Sequence, residues 1–122
     1  MSAVKLLYVI CHAPYSNAAG QEALDAIFVG TSFEQLISVL FIHDGVFQIK
    51  TNQSVQESEY SLKQFTKSYR ALSDFGVENI YAADSSLNVR ALQANDLIIS
   101  PTILDDVGVN ELINVQDKVF TF

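Results

Sequence analysis

The sequence has one cysteine, Cys11, no tryptophan, and only two prolines and five glycines in 122 residues. A lone thiol excludes an internal disulfide framework and any structural zinc site built on several cysteines, and it fits a reducing cytoplasm. No repeat, linker or low-complexity tract interrupts the chain, and 49% of its residues are apolar, enough for one core at this length. Residues 1–122 are therefore expected to form a single domain. Basic residues are scarce as well: seven Lys and Arg stand against 14 Asp and Glu, a net charge of −7. The counterion-releasing footprint that phosphate backbones require is missing, so direct nucleic-acid binding is not expected. Long apolar runs are absent too. The N-terminal run at 4–11 is too short to span a bilayer and leads into a turn sequence rather than a cleavage site, so no membrane partner is expected. Neither G-x-G-x-x-G nor G-x-x-x-x-G-K-[ST] occurs, which removes the glycine-rich cradles for dinucleotides and triphosphates; no cofactor is expected.

The near-continuous apolar run at 4–11 has the pattern of a central strand buried on both faces of a parallel sheet. His12 to Asn17 form a turn around Pro14, where Ser16 or Asn17 can cap the helix expected at 18–32. In that helix Ala23, Leu24, Ile27 and Phe28 build one apolar face, and Gln21, Glu22 and Asp25 lie near its positive end. A second strand is expected at 38–42, ending at His43, Asp44 and Gly45. Residues 46–49 read equally as a short helix or as extended chain, and 51–54 as loop. The clearest helix spans 58–74, because Leu62, Phe65, Tyr69 and Leu72 share one face and Gly76 offers a C-terminal cap. Strands at 79–83 and 97–100, with a polar stretch at 84–88 between them and Pro101 marking a turn, precede a helix at 104–114 and a last strand at 118–122. This alternation predicts an α/β fold: a doubly wound, mostly parallel sheet of about five strands flanked by helices.

In such folds reactive groups gather at the carboxyl ends of the strands. Cys11 and His12 end the first strand and invite a thiol-nucleophile reading; the plainer one is a small buried residue closing a strand. A phosphate cradle on Cys11 would need an arginine six residues on, where Asn17 stands. Neighbouring strand residues also point to opposite faces, which separates Cys11 from His12. His12, His43 and Asp44 could meet at a metal, yet no local two-histidine spacing supports it and Asp-Gly is ordinary turn chemistry, so no metal is expected. Asp84, Ser85, Ser86 and Arg90 form a polar group in which Arg90 could hold an anion; a solvated loop or a subunit contact is the plainer reading.

Ala13, Pro14, Ala18, Ala19, Gly20, Glu22, Leu24, Asp25 and Ala26 match the pattern A-P-x-x-x-A-A-G-x-E-x-L-D-A. Phe41, Ile42, Asp44, Gly45, Val46, Phe47 and Gln48 match F-I-x-D-G-V-F-Q. By these two stretches the chain resembles the DsrE/DsrF/DsrH family, and within it the TusC (DsrF-like) branch. The resemblance implies a doubly wound fold and membership, with TusB-like and TusD-like subunits, of a heterohexameric complex. That complex relays sulfur as persulfide towards 2-thiouridine at the tRNA wobble position; related assemblies serve sulfur oxidation. In such complexes the carrier thiol sits on the TusD-type subunit just after the third strand. Here that segment contains Ala83 in place of a cysteine, and Cys11 does not match the carrier position. The resemblance thus implies a non-catalytic subunit, with a stand-alone thiol sulfurtransferase using Cys11 as the alternative. Tyr15, Val46, Phe47, Ile49, Phe120 and Phe122 are candidate interface residues, the plainer reading of each being simple core, and isolated chains could form homo-oligomers.

Overall fold

A computed structural model describes residues 4–13, 19–31, 35–51, 65–77 and 79–122. They build one sheet of five parallel strands in the order β4-β3-β2-β1-β5. The strands are β1 (Val4–Ile10), β2 (Gln35–Phe41), β3 (Asn79–Ala83), β4 (Thr102–Leu104) and β5 (Lys118–Thr121). The helices are α1 (Ala19–Gly30), α2 (Asp84–Val89) and α3 (Asp106–Asn114), with 3-10 segments at His43–Ile49, Phe65–Ala71, Ser73–Phe75 and Ala94–Asp96.

The apolar run of β1 places it inside the sheet, between β2 and β5, with Leu6 to Ile10 all buried. Its residues alternate between two cores. Leu6, Tyr8 and Ile10 join Ile37, Val39 and Phe41 under Ala23, Leu24 and Ile27 of α1, and Val46, Ile49, Tyr69 and Leu72 complete that layer. On the other face Leu7, Val9, Leu40 and Ala83 pack against Val109 of α3. Burying one such aliphatic side chain contributes about 1.5–3 kcal/mol. These two layers, and not the surface ion pairs, hold the sheet.

Several boundaries agree with expectation: β1, α1, β3, β5 and the left-handed cap at Gly76 (φ 87°). The described part of the segment expected as an α-helix at 58–74 is 3-10 instead. Tyr69 and Leu72 are nevertheless fully buried, since a three-residue step serves either helix type. Leu62 lies outside the described residues. The fourth strand is not at 97–100. Leu97 is drawn into an antiparallel bridge with Lys50, and Ile98 N–H donates to the Ile49 carbonyl at 2.7 Å. Pro101 cannot donate to a ladder, so β4 begins directly after it at Thr102. The polar stretch 84–88 is not a loop but helix α2. Asp105, rather than Leu104, starts the last helix; its carboxylate accepts the Gly108 N–H at 2.8 Å as an N-cap. No helix of the described residues is long and apolar enough to cross a membrane.

Candidate functional site

The ladder runs Ile10–Phe41–Ala82–Ile103 across four strands. One step further towards the carboxyl end it brings Cys11, Ile42, Ala83 and Leu104 into a row, and all four pack on the α3 face. Cys11 therefore stands two strand spacings, about 10 Å, from Ala83 on the same face. Its backbone N–H donates to the Phe122 carbonyl at 2.7 Å, which extends the β1–β5 ladder past the last residue of β5. The thiol is partly covered, and burial pushes its pKa up, because an apolar surrounding penalises the thiolate. Ala83 is itself buried.

The 3-10 segment His43–Ile49 closes over the ends of β1 and β2. His43 has φ 55°, the left-handed region, where the chain turns out of β2. Its N–H donates to Ser86 Oγ at 2.8 Å, and Ser86 is buried in the first turn of α2. Gly45 follows, and here only glycine fits: a Cβ would come within 1.7 Å of the Ile10 carbonyl oxygen. Asp44 turns outward to Arg90. Arg90 Nε donates to Asp44 Oδ1 at 3.0 Å and Nη2 approaches the same oxygen at 2.9 Å, while Nη1 donates to the Ser86 carbonyl at 3.1 Å. The guanidinium lies 6.0 Å above the centre of the Phe47 ring. Gln48, fully buried, donates from Nε2 to the His12 carbonyl at 3.0 Å and ties the chain leaving β1; its Oε1 has no partner.

These contacts revise several expectations. Val46 and Ile49 are not interface residues: both are fully buried, because the 3-10 segment folds back onto the α1 face. Phe47 is half-buried beneath Arg90, and Arg90 is held by Asp44 rather than open to an anion. His12 and His43 are exposed, and the described residues contain no group of three His, Cys, Asp or Glu able to hold a metal. Phe120 is 40% exposed and Phe122 half-buried, both stacked on Tyr8 with ring centres 5.4 and 6.0 Å away. Tyr15, Pro14 and Ala18 lie outside the described residues; Ala13 follows the strand end, Ala19 and Gly20 open α1, and Glu22 and Asp25 are exposed on it. No local pattern marks Ser86 as an anchor, since its partner His43 is 43 residues away.

The arrangement is a packed strand end. The matched motif around Asp44 supplies a close approach, an ion pair and a buried amide, all of them directed at the chain itself. Comparison with known proteins agrees with the resemblance in the sequence. The model of the DsrE/DsrF-like family matches residues 4–122. The chain is 33% identical to the intracellular sulfur oxidation protein DsrF of Allochromatium vinosum, covering 97% of this chain and 96% of that one. It is 34% identical to protein TusC of Buchnera aphidicola, covering 94% and 96% respectively. Among solved structures, the YchN protein of E. coli superposes with a TM-score of 0.81 at 19% identity, covering 98% of this chain and 99% of that one. Sheet order, motif and overall match agree: the chain belongs to the DsrE/DsrF-like family.

Proposed function

We propose that this chain is a non-catalytic subunit of a cytoplasmic sulfur-relay complex, working beside TusB-like and TusD-like subunits in a TusBCD-type heterohexamer. The complex passes persulfide sulfur towards 2-thiolation of the tRNA wobble uridine. The observation that carries this reading is Ala83. It ends β3, in the segment to which the resemblance assigns the carrier thiol of TusD-type subunits, and it is a buried methyl group. Persulfide relay requires a thiolate that attacks the outer sulfur of a donor persulfide and displaces the donor thiolate. Without that group the chain contributes shape, packing and electrostatics to a partner that has it.

A second reading draws on Cys11, which shares Ala83's face and level and is partly open. Its burial works against it, because a thiol with raised pKa presents little thiolate at neutral pH.

Purification of the tagged chain from its own cells tests the proposal. Stoichiometric recovery of a TusB-like and a TusD-like companion, the latter bearing the carrier cysteine, is the expected result. Recovery of the chain without either companion, under conditions that preserve other complexes, contradicts it.

A further inference from the structure

Helix α1 packs on β1 and β2 and leaves β5 uncovered on the same face. The gap is a groove of about 450 Å3 lined by Leu6, Tyr8, Ala26, Val29 and Phe120, with Asp25 on its helix side. Val29, 63% exposed, stands at the rim of this apolar groove. The outer edge of β5 carries no strand among the described residues, and every residue of β5 is exposed. Unpaired edges are templates for another strand unless something blunts them. The opposite edge is blunted: β4 has only three residues, starts after Pro101 and is followed at once by Asp105. β5 is short as well, four residues opening on Lys118, but no proline interrupts it.

The charges beside the groove are of opposite sign. Asp25 is on the helix rim; Lys118 is Leu6's ladder partner and, two residues before Phe120, shares the groove's face. Among the described residues neither side chain has an ion-pair or hydrogen-bond partner. A two-fold contact places residue i of one copy on residue j of the other, and j on i, so it requires a surface that carries both halves of each pair. This one does.

We propose that β5 pairs antiparallel with β5 of a second copy of this chain. The two-fold axis closes Phe120 and Val29 of both copies over the grooves and brings each Lys118 to the other copy's Asp25. The net charge of −7 opposes self-association, so the apolar groove supplies the attraction and the charge pairs set orientation. The contact goes beyond the relay reading and does not depend on any companion subunit.

Sedimentation velocity on the purified full chain between about 1 and 100 µM tests it, in the range where modest interfaces dissociate. The wild type is expected to shift from monomer to dimer. Val29→Glu is expected to remain a monomer with unchanged thermal unfolding, and Phe120→Glu to remain a folded monomer of slightly lower stability because its ring leaves Tyr8; either one, if folded, suffices. Asp25→Lys and Lys118→Asp are each expected to weaken the dimer about tenfold, and the double charge swap to restore it. A wild-type monomer throughout, a dimer indifferent to both Glu variants, or a double swap no better than the single ones overturns the proposal. Co-purification with companion subunits is a separate measurement, so failure here leaves the relay reading standing.

Discussion

At the carboxyl end of β1 and β2, Asp44, Gln48 and Ser86 each hold another part of the same chain, and Gly45 lies against the Ile10 carbonyl. Along β5, by contrast, Lys118, Val119 and Phe120 are exposed beside an open groove, with no strand on the outer side among the described residues. The first region is where an α/β fold keeps its chemistry; the second is an edge that enzymes and scaffolds alike must manage. Here the strand end is tied to the rest of the chain by these contacts, with Cys11 partly open among them, and the edge is left available.

The comparison breaks first at Gly45. Replacing it by alanine forces a methyl group into the Ile10 backbone, and a loss of about 3 kcal/mol in urea-unfolding stability is expected. A loss under about 1 kcal/mol would mean that the closed end is looser than its geometry. Asp44→Ala should cost far less. Its carboxylate side chain is 60% exposed, and exposed ion pairs contribute about 0.2–1 kcal/mol, so a change of about 0.5 kcal/mol is expected in the same experiment. The two values together rank backbone fit above surface charge in holding the strand end. Equal losses would reverse that ranking.

How far the sequence shows this follows from the range of each interaction. The run of β1, the apolar face of α1 and the glycine cap at Gly76 are local patterns, and all three are legible. The 3-10 segment His43–Ile49 is not, because the burial of Val46 and Ile49 depends on β2, β3 and the 3-10 segment Phe65–Ala71 packed against it. Helix α2 looks like a polar loop, since its buried residues Ser86 and Leu87 are too few to set a period. Strand β4 has three residues and no pattern of its own, so the longer apolar run before Pro101 attracts the assignment. At the site, Asp-Gly reads as a turn signal, yet the reason for glycine is a carbonyl 35 positions earlier in the chain. The family motif marks Gln48 correctly as special, but its amide partner, the His12 carbonyl, is visible only in the fold.

The central claim is that this chain carries no sulfur, and the mass of Cys11 tests it most directly. The purified protein is exposed at pH 7 to a low-molecular-weight persulfide donor, then mixed with a companion bearing the carrier cysteine, and both chains are weighed intact. Burial pushes the Cys11 pKa up, which disfavours the thiolate that would attack the donor. The predicted result is an unmodified Cys11, with sulfur loading only on the companion and unchanged by Cys11→Ser. One added sulfur atom on Cys11, passed on to the companion and lost with Cys11→Ser, would contradict the account.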